Sequence, residues 1–251
     1  MAVDYVKRPD AGGGSGSAIG LEQVRATAPG LVNLYKQAAV SLEKHRLAGE
    51  RAAVYLVLDR SGSMRPYYRD GSVQHLAEQV LGLAAHLDDD GRVPVVFFST
   101  AVDGAAEVWL DDYAGRVGAL HDSLGHMGRT NYHLAMEAVV EHHRESGADV
   151  PALVVFQTDG GPSSRAAAER VLCEAARLPL FWQFIGFGED EFRFLRKLDE
   201  LPVPAKRVVD NAGFFAAGPE PRAVPDAVLY DRLTGEFPDW LRAARAAGIV
   251  R

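Results

Sequence analysis

The residues of this sequence whose types and spacing suit chemistry carry oxygen and stand just behind apolar runs. Asp59-Arg60-Ser61-Gly62-Ser63-Met64 follows AAVYLVL, and Thr158-Asp159-Gly160-Gly161 follows ALVVFQ. Between them, the Gly-rich loop GHMGRTN places Thr130 just ahead of a helical pattern. Asp59, Ser61, Ser63, Thr130 and Asp159 together offer two carboxylates and three hydroxyls. Such an all-oxygen, hard donor set suits Mg²⁺, with Mn²⁺ or Ca²⁺ as alternatives, and suits zinc or copper poorly. A cation held largely by neutral hydroxyls keeps much of its charge and seeks one more anionic oxygen from outside. Taken alone, Asp-x-Ser-x-Ser behind a strand is also ordinary turn chemistry. The additional Thr130 and Asp159 at the ends of other elements favour the metal reading.

These residues need a scaffold that brings three distant segments to one rim. The continuous apolar runs at 52–59, 93–98, 152–159 and 180–188 have the composition of strands buried on both faces, as in a parallel sheet. Helical periodicity separates them at 29–48, 72–88 (with Ser72 as N-cap), 113–124, 131–146, 165–177 and 189–199. A short edge strand is expected near 107–110, a last strand at 207–210, and C-terminal helices at 222–233 and 237–247. Strands alternating with helices predict a doubly wound α/β fold. It has a mostly parallel central sheet of about six strands, one of them an antiparallel edge strand, with helices on both faces. Residues 1–18 read as a flexible Gly/Ser-rich arm. Residues 19–251 read as a single domain with an N-terminal helix and a C-terminal helical extension. In such sheets, ligands bind outside the carboxyl ends of the strands, where the strand order reverses.

The segment behind the first motif, Arg65-Pro66-Tyr67-Tyr68-Arg69, is rich in residue types that protein interfaces favour. Arg65, Tyr67, Tyr68 and, on the Thr130 loop, Arg129 are therefore candidate partner contacts. The alternative is that the tyrosines pack onto the next helix. The histidines lack acidic or Cys partners at ligand spacing, and His121, His126 and His133 read as solvated or capping residues. The single cysteine, Cys173, lies in an apolar pattern and reads as core.

Composition narrows the function classes. The 251 residues carry a net charge of −7 with scattered basic residues, which argues against nucleic-acid or anionic-membrane binding. No apolar run is long enough to span a bilayer, and the N-terminus has no apolar leader segment, so a cytoplasmic location is expected.

The pattern Asp-x-Ser-x-Ser at 59–63, Thr130, and Thr-Asp-Gly at 158–160 resembles the metal-ion-dependent adhesion site of von Willebrand factor A (vWA) domains, over roughly residues 50–215. More narrowly, the helix PGLVNLYKQAAVSLEKH, then VYLVLDRSGSM, GRTNY and the strand ending GFG, is similar to the vWA domains of bacterial tellurium-resistance (Ter) proteins. Some Ter proteins carry a β-rich, calcium-binding domain ahead of this one, where the present sequence has a short arm. The resemblance implies that Ser61 and Ser63 ligate directly and that Thr130 does so directly or through water. It further implies that Asp59 and Asp159 hold metal-bound waters, and that a partner's Glu or Asp completes the coordination. It implies a protein-binding module in a stress or tellurium-resistance-like system, not an enzyme.

Three alternatives stand beside this reading. A metal-dependent phosphohydrolase would need a second acid two residues beyond its nucleophilic Asp. Ser61 occupies that position, and no Lys stands beside Asp159. A serine hydrolase would need G-x-S-x-G, which is missing around Ser61 and Ser63. A metal-independent structural interaction module is the remaining class.

Overall fold

The computed structural model describes residues 16–203 and 205–251. Most of the expected N-terminal arm therefore lies outside the described residues. The chain is fastened from Ser17 onward. The Ser17 hydroxyl lies 2.6 Å from Nδ1 of His86, and the amides of Ala18 and Ile19 donate to the carbonyls of His86 and Ala85.

The elements run α1 (Leu21–Thr27), α2 (Val32–Lys44), β1 (Ala53–Asp59), α3 (Arg65–Arg69), α4 (Ser72–Leu87), β2 (Arg92–Phe98), β3 (Val102–Trp109), α5 (Arg116–Ser123), α6 (Tyr132–Ser146), β4 (Ala152–Thr158), α7 (Arg165–Ala175), β5 (Leu180–Phe187), α8 (Arg193–Asp199), β6 (Ala212–Gly218), α9 (Asp226–Thr234) and α10 (Phe237–Ala246). The six strands form one sheet in the order β3-β2-β1-β4-β5-β6. All neighbours are parallel except the β2–β3 pair.

The expected α/β architecture is thus present, and its layers explain the apolar runs. Every residue of β1 and β4 is buried. In β1, Val54, Leu56 and Leu58 enter a core shared with α1, α2, α4, α9 and α10, while Ala53, Tyr55 and Val57 enter the core under α6, α7 and α8. A strand sandwiched in this way needs no polar face, and each fully buried Val or Leu contributes about 2 kcal/mol of transfer free energy. Helix α4 is covered on nearly all sides, with α2 outside it. Its Gly82 lies so close to Leu34 that an added Cβ would stand 3.1 Å from the Leu34 Cβ.

Several local expectations change. The last strand is Ala212–Gly218, not 207–210. The Arg207 side chain is buried and donates to the carbonyls of Leu201 and Asp199 and to the Asn211 side chain, so that segment serves as a polar junction. The antiparallel edge strand is longer than 107–110, because Val102 and Gly104 through Trp109 pair with β2, with a bulge at Asp103. Helix α1 was not anticipated from the sequence. Ser72 does not cap α4. Gly71, at φ 81°, holds the cap position, and the Asp70 carboxylate accepts the Ser72 amide at 2.8 Å. Cys173 is only half-buried.

The strand order reverses between β1 and β4. The chain builds outward from β1 through β2 to β3, then returns to lay β4 on the opposite side of β1. Leu58 pairs with Gln157, so Asp59 and Thr158 come side by side at the carboxyl ends of these two strands.

Candidate metal centre

Asp59 ends β1 with its side chain fully buried. One carboxylate oxygen accepts the Ser61 amide at 2.6 Å, the local bond that turns the chain. The other accepts the Thr158 hydroxyl at 2.6 Å. The turn continues as a single 3₁₀ turn, Gly62–Met64, which leads directly into α3. This geometry puts the Ser61 and Ser63 hydroxyls 3.2 Å apart. Both donate to Oδ1 of Asp159, at 3.4 and 3.0 Å respectively. Four of the five residues singled out from the sequence thus form one hydrogen-bonded group.

Thr130 reaches the same rim through its backbone. Its carbonyl accepts the Ser163 amide at 2.7 Å, and its amide donates to the Ser163 hydroxyl at 3.4 Å. Two residues earlier, the Gly128 carbonyl accepts the Gly62 amide at 3.2 Å. Next along, the Asn131 amide donates to the Ser99 carbonyl at 2.8 Å, and its side chain donates to the Thr100 carbonyl at 2.7 Å. Asn131 thus starts α6 without capping it by its side chain. The loop can press this close only because Gly128 has no side chain. A Cβ there would clash with the Thr100 hydroxyl and stand 2.9 Å from that of Ser99.

Burial is the largest influence on both carboxyls, pushing Asp59 up to about 7 and Asp159 above its usual range. The other leading influences are hydroxyls, backbone amides and further carboxylates, with Asp190 acting on Asp159. None is a basic side chain, and a divalent cation would supply the missing charge. Among the described residues no three His, Cys, Asp or Glu side chains form a group that could hold a metal ion. Any ion here would accordingly rest on two carboxylates and on hydroxyls, which fits a hard cation.

The chain's match to a family model extends from residue 51 to 250, and that model describes the vWA domain found at the C terminus of TerF. The chain belongs to this vWA-TerF-like family. It is 36% identical over 220 residues to YcbR of Bacillus subtilis (strain 168), an uncharacterized protein, covering 86% of this chain and 88% of that one. Among solved structures, the SpRpn10 VWA domain aligns at 10% identity and TM-score 0.53, covering 72% of this chain and 93% of that one. The manganese-loaded Plasmodium vivax TRAP protein aligns at 20% identity and TM-score 0.50, covering 72% and 74%. These two share the fold with this vWA domain.

Around the centre, the vWA domain places the remaining candidates unequally. Arg65 is exposed and donates to the Gly62 carbonyl at 3.2 Å. Arg129 is exposed, with its amide on the Thr100 hydroxyl at 2.9 Å. Tyr67 is half-buried, its ring 5.4 Å from that of Phe187. Tyr68 turns inward. Its hydroxyl donates to the Asp59 carbonyl at 3.0 Å and its ring stacks on His121 at 3.8 Å, which is the packing alternative. His121, expected to be solvated, accepts from Nε of Arg60 at 3.1 Å.

Sequence reasoning missed the supports. Thr158 holds Asp59, and the fully buried Tyr132 donates to the Thr158 hydroxyl at 3.1 Å and also to the Gly160 carbonyl. Arg60 stood in plain view as the second residue of the motif. Ser99, Asp103 and Ser163 carry no signal that spacing alone would flag.

Proposed function

We propose that this vWA domain is a metal-ion-dependent protein-binding module. Asp59, Ser61, Ser63, Thr130 and Asp159 hold one divalent cation, Mg²⁺ by preference, with Mn²⁺ or Ca²⁺ as alternatives. When bound, the ion supplies an electrophilic centre that attracts a carboxylate from an Asp or Glu of a protein partner. The observation that carries this reading is the meeting of the Ser61 and Ser63 hydroxyls on Asp159, beside the buried Asp59 carboxylate. Arg65 and Arg129, exposed at the rim, suit contacts with an acidic partner, and Tyr67 offers its exposed edge. The family's description and the manganese-loaded fold neighbour agree with this reading. The setting that fits it is a cytoplasmic bacterial stress response of the tellurium-resistance type.

The hydrolase reading is disfavoured by the same geometry. A nucleophilic carboxylate needs a free oxygen facing substrate, whereas Asp59 is fully buried with both oxygens hydrogen-bonded.

The deciding experiment is calorimetric titration of the protein with Mg²⁺ and Mn²⁺, paired with partner capture from the native host with and without chelator. Saturable binding lost in Asp159→Ala, together with partners released by chelator, supports the reading. No heat at millimolar cation, or partners that ignore the chelator, refutes it.

A further inference from the structure

Arg60 sits between the first two proposed ligands, yet its side chain leads away from them. It is 1% exposed. Its guanidinium donates to Oδ2 of Asp103 at 2.8 Å, to Nδ1 of His121 at 3.1 Å, and to the carbonyls of Gly125 and Leu124 at 2.9 and 3.5 Å. Those two carbonyls open the loop that runs to Thr130. The other oxygen of Asp103 accepts the Ser99 hydroxyl at 2.9 Å, and the Ser99 carbonyl holds the Asn131 amide at the far end of the same loop. One ion pair therefore joins both ends of the loop to the residue that follows Asp59. The seat is tight, because a Cβ on Gly104 would meet the Leu124 side chain at 2.8 Å.

We infer that Arg60 is a positioning residue for Thr130. Its fork, locked on Asp103, fixes the 124–131 loop in the conformation that presents Thr130 to the cation, and so sets the affinity of the centre. The inference rests on the metal reading proposed above. The guanidinium suits the task because it is planar and offers five donors in fixed directions, so one group can serve a carboxylate, an imidazole and two carbonyls at once. A lysine ammonium keeps the charge but cannot span these partners.

Charge and geometry make opposite predictions. If Arg60 acted on the cation only as a nearby positive charge, Arg60→Met would tighten metal binding and Arg60→Lys would leave it unchanged. As a positioning residue, both variants weaken it, by roughly ten- to a hundredfold, the usual cost of losing a group that orients metal ligands.

The test measures Mn²⁺ affinity by calorimetry, and amide hydrogen exchange across residues 124–131 in chelator, for the wild type, Arg60→Lys, Arg60→Met and Asp103→Asn. Asp103→Asn keeps the arginine and the shape of its partner, and serves if either Arg60 variant fails to fold. The expected result is faster exchange confined to the loop and weaker Mn²⁺ binding in every folded variant. Unchanged exchange and affinity in Arg60→Lys, or tighter binding in Arg60→Met, overturns the inference. A wild type that binds no Mn²⁺ sinks the proposed function instead. Faster loop exchange in the variants would then still assign Arg60 to holding the loop, and unchanged exchange would overturn that as well.

Discussion

The Thr158 hydroxyl donates to the buried carboxylate of Asp59 across 2.6 Å, and so ties the end of β4 to the end of β1 at the point where the strand order reverses. Tyr132 donates to the same hydroxyl, which places Thr158 at the middle of a three-residue chain under the centre.

Replacing Thr158 with Val keeps the shape but removes the donor to one oxygen of Asp59, while Tyr132 keeps the Gly160 carbonyl. Leaving a buried acceptor unsatisfied costs about 1–3 kcal/mol. Thr158→Val is expected to lower the urea midpoint and to weaken Mg²⁺ binding, while Thr158→Ser retains both. Equal urea curves for the Val and Ser variants would remove Thr158 from the scaffold.

Asp159→Asn is expected to raise the melting temperature in chelator at pH 8 and to abolish the further rise that Mg²⁺ gives the wild type. The sign follows from burial, which raises the folded-state pKa of Asp159. The stability contribution of such a group is present below its ordinary value and lost as pH rises through the folded value, so the ionised form is a cost at pH 8. Cation repays that cost in the wild type only, by about 2.7 kcal/mol at a hundred times its Kd. Differential scanning fluorimetry with chelator or Mg²⁺ checks both halves.

A second titrating group lies at the other end of the sheet, where Glu236, Asp199 and Asp210 surround Arg207. Burial first, then the neighbouring carboxylates, push Glu236 up to about 7 and Asp199 up to about 6. Asp210 is raised too, by burial, while Arg207 opposes. Raised carboxyls stabilise the fold when protonated, so the contribution is full below 4.5 for Glu236 and below 3.8 for Asp199, and it is lost as pH rises through about 7 and about 6 respectively. Glu236→Gln should flatten the fall in melting temperature between pH 5 and pH 8, a range chosen to bracket roughly that window. Parallel wild-type and variant profiles would contradict this assignment.

Gly128→Ala tests the seating of the Thr130 loop. The new methyl meets the Thr100 and Ser99 hydroxyls, and overpacking of this kind costs about 1–3 kcal/mol. The expected outcome is a folded protein with stability lower by about that amount and much weaker Mn²⁺ binding. Full Mn²⁺ affinity would mean that the loop tolerates displacement.

The parts of this fold that the sequence made legible are those whose signal is local. The buried strands β1 and β4 read as unbroken apolar runs because both faces are covered, and Asp59 and Asp159 stand out at their ends. β6 escaped notice because Ala212–Gly218 is a half-exposed strand of Gly, Ala and Phe with no alternation, while the nearby 207–210 run looked more strand-like. The support network escaped for a different reason. Arg60 finds Asp103, His121 and Gly125 at separations of 43, 61 and 65 residues, and no periodicity encodes such pairings. Tyr68 shows the limit of residue type, since a side chain common at interfaces here faces inward.

Ser61 and Asp159 meet across 98 positions of chain, and the crossover from β3 to β4 must be complete before they do. Neither half of the polypeptide owns the proposed ligand set. During synthesis, the centre can come into existence only after β4 and Ser163 have emerged and docked, so ion uptake would report a chain that has passed this point and never a shorter one.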